Sequence, residues 1–237
     1  MAGRVRLQLP SLRTASSVMA VLLIAMSVIT VLLEKSVGVT LQLIPHQVLN
    51  LALWQPFTWL LIEITPMGVM FGALIVWSIG GSLEQQWGKA RFVRFALGVT
   101  FCAGLMTVAV GLVSDTVRLM HFGGGSTMAG TLWVTYGLMI GSRPANFWGL
   151  PTTGNVLALI GVGFVILNAL MVAWQLVVPE AIAIALGFAL LKLGGPTDWW
   201  ERFQSGRLRR ELAKRSSHLK VVEPSRNMPG DSDKFLH

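Results

Sequence analysis

The sequence predicts an all-α, polytopic membrane protein. Three observations carry that expectation. Of 237 residues, 53% are hydrophobic and only 13% charged, against roughly 25% charged in soluble domains. The apolar residues gather into runs that approach the length needed to cross a ~30 Å hydrocarbon core at about 1.5 Å per residue. Taking those runs as alternating crossings puts seventeen of the nineteen lysines and arginines on one side, the bias expected of cytoplasmic loops.

Each segment can be justified in turn. Residues 1–15, with Arg4, Arg6 and Arg13, read as a basic cytoplasmic tail. Ser16 to Leu33 is an uncharged first span, closed by Glu34 and Lys35. It lacks a small-residue cleavage site in a polar setting, so it reads as a retained span and not a signal peptide. Ser36 to Gln55, with Gly38, Pro45, His46 and Trp54, is amphipathic and is expected to lie in the outer interface. Glu63 and Pro66 interrupt the next apolar run, so the second span is expected from Pro66 to about Leu83, proline being suited to the first helical turn. Lys89, Arg91 and Arg94 follow, and Phe95 to Val113 is the third span. Ser114 to Gly125 reads as a loop, Ser126 to Gly141 as a short fourth span, and Ser142 to Thr153 as a second loop. Val156 to Trp174 and a short Pro179 to Leu191 complete six.

An even number of spans with lysine and arginine inside puts both termini in the cytoplasm. A bacterial inner membrane is the expected compartment. Trp54, Trp59 and Trp174 fall near the outer boundary and Trp87, Trp148, Trp199 and Trp200 near the inner one, while Trp133 fits neither belt. Residues 194–237 form a basic tail: Trp199, Trp200 and Phe203 among six arginines and lysines suggest an amphipathic helix on an anionic inner leaflet, followed by a Pro-, Ser- and Asp-rich end expected to be disordered. Membrane anchoring accounts for the net charge of +8, so no nucleic-acid partner is expected. The single cysteine, Cys102, lies in an apolar run and excludes both a disulfide and a cysteine zinc site. No metal or cofactor is expected.

The one stretch with chemical potential is His121 to Gly130, His-Phe-Gly-Gly-Gly-Ser-Thr-Met-Ala-Gly. Gly123, Gly124 and Gly125 permit close backbone packing and deliver Ser126 to the start of a helix. There it serves as a buried nucleophile or as an N-cap for free N–H groups. Other features surround it. Trp54-Gln55-Pro56-Phe57-Thr58 precedes the second helix, and Gly80-Gly81-Ser82-Leu83-Glu84 with Trp87-Gly88 closes it. Leu186-Gly187-Phe188 lies in the last helix. Together, over about residues 15–193, these resemble the rhomboid superfamily: an aromatic-x-x-aromatic-Thr opening, a Gly-x-x-Glu-x-x-x-Gly closure, a Gly-x-Ser loop and a small-residue segment. The fold the resemblance implies is a six-transmembrane-helix rhomboid-like bundle. Glu63 before the second helix together with Leu-Glu-x-x-Trp-Gly is reminiscent of eukaryotic Golgi rhomboid-like pseudoproteases, while the serine loop is closer to bacterial rhomboids.

The resemblance implies a serine nucleophile on the fourth helix, a histidine base on the sixth, and histidine and asparagine on the second stabilising the oxyanion. Ser126 matches the nucleophile. The sixth helix has no histidine, and the family's position falls on Glu180 or Ala181. Gly72 stands where the asparagine would be, Gly68 one turn earlier where the family has histidine, Glu63 replaces another histidine upstream, and Thr127 replaces the glycine after the serine. A serine hydroxyl without an adjacent base is a poor nucleophile. His121, across the three glycines, and Glu180 are the candidate substitute bases. The expected function is that of a rhomboid-like pseudoprotease binding transmembrane client proteins. Glu63, Gly68 and Gly72 are candidate client contacts, and Glu84, Gly88 and Gly187 are structural. Two other classes compete. One is an intramembrane serine endopeptidase using Ser126. The other, a small-solute transporter, is opposed by the lack of an internal repeat and of charges within the spans.

Overall fold

In the computed structural model the described residues are 13–38, 40–147 and 150–193. The chain divides into two units, Met1–Leu193 and Gly194–His237. The second, with the basic tail expected to meet the inner leaflet, lies outside the described residues, as does the N-terminal tail up to Leu12. The described part is mostly helical. Helices α1 (Ala15–Val37), α4 (Pro66–Trp87), α5 (Lys89–Val110), α8 (Gly154–Met171) and α9 (Val178–Leu193) carry the five segments long and apolar enough to cross a membrane. Short helices α2 (Pro45–Leu49), α3 (Gln55–Thr58) and α6 (Asp115–Arg118) lie in the connections, with 3-10 turns at Trp59–Leu61 and Trp174–Val177. Helix α7 (Gly124–Ile140) has 17 residues and packs against α4, α5, α8 and α9, which makes it the central element.

Where the elements begin and end follows from local chemistry. Thr14 caps α1, its hydroxyl accepting from Ser17 N–H, and Gly38 in the left-handed region ends it. Thr65 caps α4 and Pro66 occupies its first turn. The helix then runs a turn past Leu83, because Glu84, Gln85 and Gln86 are good helix formers, and it stops at Gly88, where φ is +82°. Helix α5 starts at Lys89, earlier than expected at Phe95, since its three cations sit exposed on the first turns and cost nothing to solvate. Two expected loops are structured. Ser114 caps α6, and residues 144–153 form a hairpin of strands β1 (Pro144–Phe147) and β2 (Leu150–Thr153), paired antiparallel from Pro144 opposite Thr153 to Phe147 opposite Leu150. Ser142 to Thr153, expected as a plain loop, thus contains two paired strands. Pro, Thr and Asn there do not alternate in hydrophobicity, so no period-2 signal marked the strands.

The core lies between α1, α4, α5 and α7: Leu23, Val76, Leu83, Phe92, Met128 and Leu132 are buried together. A second cluster at the other end joins Leu43, Trp59, Val108, Val117 and Phe122 around a backbone bridge from Leu43 to Phe122. Trp59 is 0% exposed and its ring lies where a side chain on Gly104 would be, so it belongs to the core and not to an interfacial belt. Trp54 and Trp174 are about half exposed, as belt residues are. Trp133 is accounted for by its indole N–H donating to Leu157 O at 2.8 Å, which ties α7 to α8.

Glu84 does what a carboxylate at a helix end does best. Its two oxygens accept from Ala15 N–H (2.9 Å) and Ser16 N–H (2.8 Å), so α4 caps the free N-terminus of α1. The Arg91 guanidinium lies over the Trp87 ring, 5.7 Å from its centroid. Glu84→Ala is expected to lower stability by about 1–2 kcal/mol, the usual cost of losing an N-cap acceptor, with Glu84→Gln intermediate. Thermal unfolding of the purified chain in detergent reads both.

Candidate functional site

The site assembles at the N-terminus of α7. Gly123 is the N-cap, so Gly124 and Gly125 occupy the first helical positions and Ser126 the third. Ser126 is therefore inside the first turn, and the expectation that it caps the helix is corrected: Gly123 and Gly124 lie against backbone and Gly125 against the Glu63 side chain. A Cβ on Gly124 would stand 2.5 Å from Trp59 O, and one on Gly123 2.9 Å from Ile62 O. These close approaches press the start of α7 onto the segment 59–63.

That segment supplies what the helix terminus lacks. Gly125 N–H donates to Ile62 O at 2.9 Å. Glu63 is 8% exposed, and its Oε2 accepts from Ser126 N–H at 2.7 Å. Its Oε1 accepts from Ile64 N–H at 3.0 Å. Its own N–H donates at 2.9 Å to the Ser27 hydroxyl, which donates in turn to Leu23 O at 2.7 Å. A carboxylate here meets both unsatisfied N–H groups and the positive end of the helix dipole. Gly68 leaves room for it, while Gly72 packs against the start of α7. A Cβ at Gly68 would be 2.6 Å from Glu63 side-chain atoms, and one at Gly72 3.8 Å from Gly125 O.

The Ser126 side chain lies near the Glu180 carboxyl of α9, and Glu63 is near enough to Glu180 for their charges to interact. Helix α9 can come this close because Gly187, two turns further along, sits against Thr131 and Thr135, each 3.2 Å from where its Cβ would be. The structure thus brings together Ser126, Glu63, Glu180, Gly68, Gly72 and the three glycines. It does not bring His121: the imidazole Nδ1 is 3.1 Å from Gln42 Oε1, which ties the ring to the first connecting segment. Glu63 and Gly72, expected as client contacts, are buried in the interior. Ser27 escaped sequence reading altogether. A lone serine in an apolar span was its only mark. Among the described residues no group of three or more His, Cys, Asp or Glu is placed to hold a metal ion.

Chemically the arrangement is lopsided. It holds a hydroxyl with a carboxyl beside it, but two of the first-turn N–H groups that could stabilise an oxyanion, those of Gly125 and Ser126, already serve a carbonyl and a carboxylate. An acyl-transfer intermediate would have to place negative charge where Glu63 sits.

A family whose model is described as "Eukaryotic integral membrane protein (DUF1751)" matches residues 15–192. No curated protein matches the chain. The family match overturns the expected bacterial inner membrane: the family is described as eukaryotic. Loop charge and span length, from which the compartment was inferred, are common to both kinds of cell and cannot separate them.

Proposed function

The chain belongs to the eukaryotic integral membrane protein family DUF1751, and from that premise we propose that it is a rhomboid-like, catalytically inactive protein that binds transmembrane segments of client proteins. Helix α7 adds a short fourth crossing to the five longer ones, making six, and both termini are cytoplasmic. The observation that carries the inactive reading is the Glu63 carboxylate on Ser126 N–H at 2.7 Å. It fills the donor that an oxyanion would need, and loss of one such donor costs about 10²–10³ in rate. The absence of histidine from α9 removes the usual base as well.

Client binding draws on the short central helix. Seventeen residues span about 25 Å, less than the ~30 Å core, and a mismatch of that kind thins the bilayer and favours helix–helix contact. Beside the site, α4 exposes Met67, Met70 and Phe71. Flexible methionines suit a surface that accommodates varied partners. A photo-crosslinker at Phe71 is expected to capture a co-reconstituted single-span reporter more efficiently than one at Leu105 on α5. Equal capture at both positions would sink the client reading.

The facing of Ser126 and Glu180 favours one second reading: an intramembrane serine endopeptidase with Glu180 as base. A serine-reactive fluorophosphonate probe decides between them. We expect wild type and Ser126→Ala in native membranes to label equally. Labelling of wild type that disappears in both Ser126→Ala and Glu180→Gln would establish the protease.

A further inference from the structure

The two ends of the bundle differ in charge. Ala15 and Ser16 at the start of α1 meet Glu84 near the end of α4, and Trp87 Nε1 donates to Met139 Sδ near the end of α7 at 3.1 Å, so these termini share one end with the start of α5. Six exposed cations stand there among the described residues: Arg13, Lys89, Arg91, Arg94, Arg143 and Lys192. The one carboxylate among the described residues at that end, Glu84, is bonded to the α1 amides, and its charge also interacts with Lys89. The opposite end carries Glu34, Glu63, Asp115 and Glu180 against Lys35 and Arg118.

We propose that the basic end binds an anionic phospholipid, whose phosphate is held by the exposed Lys89 and Arg94 while its glycerol and upper acyl carbons lie on the shallow, mostly apolar groove of about 420 Å³ that these two residues line with Ala90 and Val93. The two cations lie on one face of α5 either side of a small apolar floor. Arg94 Nε donates to Ala90 O at 3.2 Å, which orients the guanidinium and leaves its terminal N–H groups for phosphate oxygens. Below the groove the same helix exposes Gly98, Cys102, Leu105 and Met106, and Gly98 has nothing within 4 Å of a Cβ. An acyl chain can lie along that path, whereas a free phosphate would leave it unused; the geometry therefore favours the lipid. Basic pockets at the cytoplasmic side of membrane helices take such headgroups. This inference holds whether or not Ser126 does chemistry.

The test is native mass spectrometry of the full-length protein in detergent, with a phosphatidylinositol phosphate, phosphatidylcholine and soluble inositol phosphate offered separately. Each removed cation weakens binding to an anionic headgroup, so Lys89→Gln with Arg94→Gln is expected to reduce affinity for the anionic lipid about 30-fold without altering phosphatidylcholine adducts or lipid-free melting. A tail variant, Arg207→Gln with Arg209→Gln and Arg210→Gln, is expected to keep the site. Unchanged binding in the α5 variant, or loss confined to the tail variant, would overturn the assignment. Soluble inositol phosphate binding as tightly as the lipid would assign the groove to free phosphate instead.

Discussion

Gly124→Ala is expected to leave little folded protein, while Gly130→Ala, six residues further along the same helix, is expected to be tolerated or stabilising by about 0.5–1 kcal/mol. The difference lies entirely in what surrounds each Cα. A methyl on Gly124 would sit 2.5 Å from Trp59 O and 3.0 Å from Leu60 Cα, both backbone atoms that no rotamer change can move. Relief requires α7 to lift from the 59–63 segment, which would break the bonds from Gly125 N–H to Ile62 O and from Ser126 N–H to Glu63. Trp59, fully buried beneath that segment, would shift with it. The cost is at least about 3 kcal/mol, the upper range for overpacking. At Gly130 nothing lies within 4 Å of a Cβ, so alanine adds only helix propensity. Size-exclusion profiles and thermal unfolding in detergent of the two variants, side by side, should separate them with opposite signs. Equal behaviour would mean the glycine run is not a packing device.

That contrast also marks what the sequence could and could not say. The run Gly123 to Gly125 announces close packing, and Pro66 and Gly88 announce the limits of α4, because caps and breakers act within a few residues of where they stand. Span positions were legible for the same reason: hydrophobic runs are local. The partners were not. Glu63 and Ser126 are 63 residues apart, and Ser27 lies 36 before Glu63, with no period or motif linking them. From the sequence Glu63 is a candidate client contact, whereas its carboxylate serves a helix terminus. Glu180 read as a base with nothing to aim it at Ser126. Its direction came from Gly187 and Thr131, a helix contact that spacing along the chain does not reveal. His121, near Ser126 in sequence, is held elsewhere by Gln42, since a chain that enters a helix turns its preceding residue away.

Glu63→Ala is expected to destabilise the bundle by about 3 kcal/mol or more, and the effect should depend on Gly68. Removing the carboxylate leaves Ser126 N–H without its 2.7 Å acceptor in a buried place, and a charge-assisted bond lost there costs about 1.5–3 kcal/mol before the orphaned donor is counted. Glu63→Gln keeps an acceptor oxygen and should fall between. Glu180→Gln should not lower stability, because no backbone N–H is seen to donate to Glu180 among the described residues and it faces another carboxyl. Gly68→Ala provides the cross-check. Its Cβ would meet Glu63 Cγ, Cδ and Oε1 at 2.6 Å, so in the wild-type background it displaces the carboxylate from the helix terminus. Once Glu63 is alanine those atoms are gone and the space is free. The double variant should therefore be less destabilised than the sum of the single ones, by about 1 kcal/mol or more, the coupling expected of residues in direct contact. Strict additivity in thermal unfolding would show that Gly68 does not act through Glu63. In that case the carboxylate would not be held against Ser126 by the glycine, and the reading of a filled oxyanion position would lose its support.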